Sequence, residues 1–283
     1  MKPWDTVVIV GVGLVGGSIG LGLRVKKLAR RGIGLAPRAS SLHAAQTSCC
    51  ATDTPLMLEL SAAEADLIVV CTPVGRIVDD VRRAAAVARP GTLVTDAGST
   101  KGSIVAELDG TLPAGVTFVG SHPLAGSEKN GPTAAVRDLF VGRTVVVTPT
   151  ERKPPKAVRT IEAFWKQLGA RTVRMSADEH DAALAATSHV PHVVASARAG
   201  STPADVLHLT AGGWLDTTRI AAADGPLWVQ ILRDNRRHVT AALDQVEKSL
   251  RAFRAAINNG DEQALEQLLE VGKQRRTAAT KKR

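Results

Sequence analysis

A short apolar run that leads directly into a glycine-rich turn constrains the fold of this chain most strongly. Residues 6–10 are β-branched, as is typical of a strand buried on both faces. Gly11, Gly13 and Gly16 follow in a G-x-G-x-x-G arrangement, and residues 19–28 predict a helix. A plain glycine turn would also fit these residues, but strand, turn and helix in this order favour a Rossmann-type unit that binds a dinucleotide.

Each glycine of this turn has a predicted role in holding the cofactor. Gly11 allows the tight turn, Gly13 lets the backbone approach a pyrophosphate, and Gly16 lets helix and strand pack closely. The N-terminus of the helix offers free N–H groups and a positive dipole end to the phosphates. We therefore predict that Gly11, Gly13, Leu14 and Gly16 bind the cofactor.

The residues after the second predicted strand, at 32–35, bear on the choice between NAD and NADP. An NAD site usually has an acidic residue near this point, which binds the adenosine ribose. Here the strand is followed by Ala36, Pro37 and Arg38, without an acid. Arg38, with Arg31 as a second candidate, could instead contact a 2′-phosphate, although an exposed arginine is as often only solvated. The cofactor is thus predicted to be NAD or NADP.

Five more apolar runs predict further strands, separated by helices. Because α/β sheets bind ligands at the carboxyl ends of their strands, Thr72 and Pro73 are predicted to lie against the cofactor. The fold class is therefore α/β, with an N-terminal Rossmann-type doubly wound sheet over residues 1–175. The runs are residues 66–71, 92–96, 116–119, 144–147 and 171–174.

The pattern becomes helical from residue 176. Pro191 should kink or end a helix. The apolar positions from Trp228 to Ile257 predict one long amphipathic helix, with an apolar face wide enough to pack against a partner subunit. We expect residues 176–272 to form an all-helical domain for substrate binding and dimerisation, and residues 273–283 to be a disordered basic tail.

Composition excludes several classes of protein. The net charge is +9, but six basic residues lie in the last eleven positions, so we predict no nucleic-acid binding and expect a small anionic substrate. The three cysteines show no metal-ligand spacing, which predicts no metal site and a reducing compartment. Signal-peptide and membrane-spanning patterns are absent from the sequence, which predicts a cytoplasmic protein.

The candidate chemical groups come from both halves of the chain. Ser99 follows a predicted strand, and His122 lies in the glycine-rich stretch 120–131, which is predicted to be a loop; His189, His192 and Arg219 belong to the helical half. A cleft between the halves would gather them over a nicotinamide ring. Histidine titrates in the range needed to take a hydroxyl proton as hydride leaves, and the arginine fork suits a carboxylate. The alternative is that His122 caps a turn and the other histidines are structural.

The order of these motifs resembles that of the prephenate dehydrogenase (cyclohexadienyl dehydrogenase) family of tyrosine biosynthesis, and the match runs from Gly11 to about Phe253. The motifs are Gly-x-Gly-Leu-x-Gly-Gly-Ser at 11–18, Asp-x-x-Ser-x-Lys at 96–101, Gly-Ser-His-Pro-Leu-Ala-Gly-Ser-Glu at 120–128, Glu-His-Asp at 179–181, Ser-His-x-Pro-His at 188–192, and Gly-Gly-x-x-Asp-x-Thr-Arg at 212–219, followed by Trp228.

This resemblance implies an NAD(P)-dependent oxidative decarboxylation of a dianionic cyclohexadienol to 4-hydroxyphenylpyruvate, in a homodimer formed through the C-terminal helices. His122 would accept the proton of the 4-hydroxyl group, and Ser99 would hydrogen-bond that hydroxyl and the histidine. The resemblance also implies a substrate pocket in which His192 and Arg219 bind the carboxylates, with His189 beside them and Gly212 in the lining. Glu128 would belong to a gating network, and Trp228 would come from a second subunit.

The sequence departs from the family pattern in two places, and alternatives remain open. The acid after the second strand is missing, and Gln230 stands where members often carry an acid two residues after the tryptophan. An arogenate dehydrogenase or a β-hydroxyacid dehydrogenase would share the fold. A nucleotide-sensing or nucleic-acid-binding protein that uses residues 273–283 is the non-enzymatic alternative.

Overall fold

The computed structural model of the chain describes residues 3–36, 58–126 and 131–281. The chain forms two compact units that divide between Asn235 and Arg236. The predicted boundary between residues 175 and 176 marks the change from α/β to helical structure inside the first unit, and as a domain boundary it stays a prediction.

A five-stranded parallel sheet forms the centre of the first unit, with strand order β2-β1-β3-β4-β5. Its strands are β1 (Trp4–Val10), β2 (Ala29–Leu35), β3 (Leu67–Val70), β4 (Leu93–Asp96) and β5 (Thr117–Phe118). Its described helices are α1 (Leu14–Val25), α2 (Leu58–Ala63), α3 (Val74–Val87) and α4 (Gly102–Leu108). The predicted Rossmann-type doubly wound sheet is therefore confirmed.

Both faces of this sheet are buried, which explains its continuous apolar strands. Val7 and Ile9 of β1 point into one core cluster, and Val8 and Val10 point into the other. Side chains alternate between the faces of a strand, so a strand covered on both sides needs apolar residues at every position.

The chain then enters a second, three-stranded sheet of β6 (Gly120–Pro123), β7 (Thr144–Thr148) and β8 (Arg171–Arg174), with order β6-β7-β8. A short 3-10 turn (Pro132–Ala134) precedes β7, and α5 (Pro155–Gln167) joins β7 to β8. The prediction that His122 lies in a loop is wrong, because it pairs with Val146 inside β6. Small neighbours such as Gly120 resemble a loop in sequence, but here the backbone hydrogen-bonds to β7.

The rest of the first unit is helical and comprises α6 (Ala177–Leu184), α7 (Val190–Gly200), α8 (Gly212–Thr218) and α9 (Gly225–Asp234), with 3-10 turns at Ala204–Leu209 and Arg219–Ala222. Pro191 does not end the helical segment, but a break from α-helical geometry lies just before it. A π-helical turn at Ala185–His189 connects α6 to α7, and Pro191 falls in the first turn of α7, where its missing N–H is tolerated.

The second unit contains α10 (Arg236–Asn259) and α11 (Glu262–Lys281). The predicted single long helix is wrong, since Asn235 leaves helical geometry at φ −98° and ψ 28° and separates α9 from α10. The basic stretch expected to be disordered continues α11 to Lys281, because no proline interrupts it. Among the described helices, none combines the length and apolarity needed to cross a bilayer.

We predict that Gly16→Ala destabilises the protein by about 2 kcal/mol or more. A Cβ atom at Gly16 would lie 1.9 Å from the backbone oxygen of Gly11, so the turn would have to move. Gly13→Ala is the matched control, because its Cβ would meet nothing within 4 Å. Chemical denaturation measures both variants, and an equal loss in the control would contradict the packing role of Gly16.

Candidate active site

The carboxyl ends of β1, β3 and β4 lie side by side and carry the predicted site residues. β1 runs into Gly11, β3 is followed by Thr72, and β4 is followed by Ser99. Ser99 is half-buried, and its side chain makes no hydrogen bond within the described part of the chain, which leaves its hydroxyl available. This edge is the usual ligand-binding edge of an open α/β sheet.

The glycine turn fits a dinucleotide phosphate. Gly11 has φ +97°, and a Cβ there would lie 2.8 Å from the backbone oxygen of Cys71, so only glycine suits the turn. A Cβ at Gly13 would face open space, and Leu14 begins α1 beside it. The hydroxyl of Thr72 is buried without a partner among the described residues, while the neighbouring Pro73 is the exposed N-cap of α3.

The structure argues against one of the two arginines that were considered as ligands of a 2′-phosphate. Arg31 lies in the first half of β2, away from the carboxyl end, and forms an ion pair with Glu64 at 2.5 Å. Arg38 lies outside the described residues. The choice between NAD and NADP therefore stays open.

His122 belongs to a hydrogen-bonded chain of three side chains. Its Nδ1 lies 2.9 Å from Nε2 of His180, and Nδ1 of His180 lies 2.7 Å from a carboxylate oxygen of Asp181. The backbone N–H groups of Lys101 and Gly102 also donate to Asp181, at 2.8 and 2.7 Å. These bonds join β6, α6 and the start of α4.

This chain determines which nitrogen of His122 carries the proton. An ionised Asp181 only accepts hydrogen bonds, so Nδ1 of His180 donates and its Nε2 accepts. Nδ1 of His122 must then be the donor to His180, and Nε2 of His122 keeps its lone pair. The arrangement presents His122 as a base.

The surroundings keep His122 neutral. Burial disfavours the imidazolium, and nearby His180 and Lys101 add repulsion, so the pKa of His122 falls well below its usual value of 6.5. Burial opposes the ionisation of Asp181, but hydrogen bonds from His180 and the two backbone N–H groups outweigh it and lower the pKa of that carboxyl. At neutral pH, a neutral His122 is therefore linked through His180 to an ionised Asp181.

A fully buried ion pair between Asp96 and Lys101 lies at the end of β4. The backbone N–H of Ser121 donates to Asp96 at 3.1 Å, and the Ser121 hydroxyl accepts from the indole of Trp165 at 3.0 Å. The first bond ties β4 to β6, and the second ties α5 to β6. Ser99 and His122 are therefore carried by anchored backbone.

The helical residues of the first unit supply a second group. His192 is buried on α7 and stacks on Trp228 of α9, with ring centroids 3.6 Å apart and planes 8° from parallel. Nδ1 of His192 has no partner among the described residues. Arg219 is exposed, and its 3-10 turn packs against α7. Gly212 is exposed at the start of α8, and Glu128 lies outside the described residues.

Sequence reasoning missed the roles of His180 and Asp181, which appeared only as part of a motif. Two signals pointed to them: adjacent histidine and acid residues, and a position just after the capping box formed by Ser176 and Glu179. That cap fixes the start of α6. Among the described residues, no group of three or more His, Cys, Asp or Glu side chains is arranged so that it could hold a metal ion.

Comparison with known proteins identifies the family. Residues 20–174 match the model described as prephenate dehydrogenase, nucleotide-binding domain, and residues 176–271 match prephenate dehydrogenase, dimerization domain. The chain belongs to the prephenate dehydrogenase family. It is therefore an oxidoreductase, and the non-enzymatic alternative loses its support.

Individual members of the prephenate dehydrogenase family resemble nearly the whole chain. The cyclohexadienyl dehydrogenase of Zymomonas mobilis is 32% identical over 275 residues, which cover 92% of this chain and 91% of that protein. The structure of prephenate dehydrogenase from Aquifex aeolicus with hydroxyphenyl propionate and NAD+ has 30% identity and a TM-score of 0.88, and covers 97% of this chain and 98% of that one. Synechocystis arogenate dehydrogenase has 26% identity and a TM-score of 0.80, with coverage of 97% and 99%.

We predict that His180→Leu lowers kcat by about tenfold to a hundredfold. The change removes the acceptor that orients Nδ1 of His122, while the apolar replacement fills a buried position. Steady-state kinetics measure the loss, and His208→Leu, on the exposed 3-10 turn Ala204–Leu209, is the control. Equal kcat values for the two variants would contradict the orienting role of His180.

Proposed function

We propose that the protein catalyses the NAD(P)-dependent oxidative decarboxylation of prephenate to 4-hydroxyphenylpyruvate, as a homodimer in the cytoplasm. The observation that carries this proposal is the orientation of His122 by His180 and Asp181, which leaves Nε2 of His122 without a hydrogen-bond partner among the described residues, beside the carboxyl ends of a dinucleotide-binding sheet. Family membership and the likeness to a prephenate dehydrogenase in complex with NAD+ support it.

The bound dinucleotide supplies the hydride acceptor, and the backbone at Gly11, Gly13 and Leu14, with Thr72 and Pro73, would hold it. Nε2 of His122 takes the proton of the substrate's 4-hydroxyl group as hydride leaves the same carbon. The bond to the departing CO₂ then supplies electrons to the ring, which becomes aromatic. The chain therefore has to remove one proton and orient the substrate, rather than drive an uphill step.

The binding groups suit a substrate with two carboxylates. Arg219 offers a planar fork for one of them, and His192, held flat against Trp228, offers a nitrogen donor for the other. Ser99 supplies a hydroxyl at the end of β4 for the reacting oxygen. From the family likeness alone, Glu128 is proposed to belong to a gating hydrogen-bond network.

The deciding experiment measures turnover with prephenate and with arogenate, each with NAD and with NADP. Prephenate should be the better substrate, since its side chain carries a carboxylate without the ammonium group of arogenate. Higher kcat/KM with arogenate would overturn the substrate assignment, and no turnover with either would overturn the proposal. The comparison of NAD with NADP in the same assay decides the cofactor preference, which the sequence at Arg38 does not decide.

We predict that His122→Asn lowers kcat by about a hundredfold to ten-thousandfold, with little change in the KM for prephenate, because the proton acceptor of the transition state is lost. Steady-state kinetics that determine kcat and the KM for prephenate separately test this prediction. His208→Asn, on an exposed turn, is the matched control. An unchanged kcat would eliminate His122 as the base.

The pH dependence follows from the lowered pKa of His122. The base must be unprotonated, and its pKa lies below 6.5, so kcat/KM should stay level from neutral pH down to about pH 6.5 and fall only at lower pH. Initial rates across this range, each corrected for the reaction without enzyme, measure the profile. An acid limb centred above pH 6.5 would contradict the lowered pKa.

We predict that Arg219→Ala raises the KM for prephenate by about tenfold or more and changes kcat little, because it removes a charged hydrogen bond to a carboxylate. Arg159→Ala, an exposed position on α5, is the control for the loss of one positive charge. If the two variants share the wild-type KM, Arg219 does not bind the carboxylate.

A further inference from the structure

Asn235, the residue that separates α9 from α10, contacts the site through its side chain. It is buried, with 3% of its surface exposed. Its side-chain nitrogen donates to the backbone oxygen of Asp181 at 2.7 Å and lies 3.1 Å from Nδ1 of His189. One amide group therefore contacts both the anchor of the His122 chain and a second histidine.

The first of these bonds fixes the direction of the second. A backbone carbonyl only accepts hydrogen bonds, so the atom of Asn235 that faces Asp181 must be the amide nitrogen. This nitrogen has two hydrogens to donate and no lone pair available. Nδ1 of His189 must therefore accept, and the proton of a neutral His189 sits on Nε2.

The environment of His189 also favours the neutral form of its ring. Its side chain is 1% exposed, and its ring makes an edge contact with Trp228 at 6.0 Å between centroids. Burial lowers the pKa of His189 to about 4, although Asp181 attracts the charged form. His189 also lies close enough to His122 that a proton on both rings would cause repulsion, which lowers the pKa of His122.

The segment around Asn235 is itself firmly held. The preceding Asp234 accepts a hydrogen bond from the hydroxyl of Ser103 at 2.7 Å and another from Thr100. Thr100 directly follows Ser99, so the end of α9 is bound to the loop after β4. The Asn235 amide therefore has a defined position relative to the base.

We propose that Asn235 is a positioning residue that holds His189 as a neutral hydrogen-bond donor with its proton on Nε2. His189 then offers the substrate an N–H for an oxygen acceptor, such as a carboxylate or a hydroxyl, and does not act as a second base beside His122. This role in binding rests on the proposed function, whereas the position of the proton does not.

Nuclear magnetic resonance of the full chain labelled with ¹⁵N-histidine tests the proposal directly. The His189 signals are identified by their loss in His189→Gln. In the wild-type protein without substrate, Nε2 should show the shift of a protonated nitrogen and Nδ1 that of an unprotonated one. In Asn235→Asp, the new carboxylate can only accept, so the His189 proton should move to Nδ1 or the ring should become doubly protonated.

Asn259→Asp is the matched control, because it makes the same change at an exposed position near the end of α10. Its histidine spectrum should equal that of the wild type. Asn235→Asp should also lower kcat/KM for prephenate by about tenfold or more, because a buried donor is misplaced, while the control stays within about twofold.

Two results would overturn the proposal. One is a wild-type His189 that carries its proton on Nδ1, and the other is an unchanged His189 tautomer in Asn235→Asp. If Asn235→Asp does not fold, Asn235→Ala takes its place and should show a mixture of both tautomers, and the wild-type spectrum remains decisive. A protein that fails to oxidise prephenate but shows the Nε2 proton would refute the proposed function alone.

Discussion

The carboxylate of Asp181 is the group on which the geometry of this site depends. It accepts two backbone N–H groups at the start of α4 and the Nδ1–H of His180, all within 2.8 Å. Three charge-assisted hydrogen bonds outweigh the cost of burying the ion and keep it ionised. One side chain thereby attaches the helical segment to the loop after β4 and sets the orientation of two imidazoles.

The buried ions of the site are paired, whereas its proton acceptor is neutral and its arginine is exposed. The buried ions, Asp96 with Lys101 and Asp181 with its donors, are fully paired, so they stabilise the backbone without leaving a free charge inside. His122 stays neutral in these surroundings, as a base must before it reacts. The cationic Arg219 lies at an exposed position, where its charge costs little and where an anionic substrate can reach it.

Sequence patterns predicted the nucleotide-binding half well. The glycine turn after a β-branched strand and the apolar runs of the sheet depend on local residues, and the structure has them where they were predicted. The errors lie where long-range pairing competes with local pattern. His122 is a strand residue because Val146 of β7 pairs with it, and Asn235 interrupts a regular apolar spacing because its side chain bonds to Asp181 and His189. None of these three partners is near in sequence.

By itself, the sequence determined the doubly wound sheet, the phosphate-binding turn and the residue types available for chemistry, since each follows from periodicity, from glycine conformation or from a short motif. Only the tertiary structure decided which nitrogen of each histidine holds a proton. His122, His180 and His189 obtain that property from partners up to 58 residues away, through hydrogen bonds with a fixed donor and acceptor. For His122 and His189, those directions depend on atoms brought together by folding, and no local pattern encodes them, whereas His180 is oriented by its sequence neighbour Asp181.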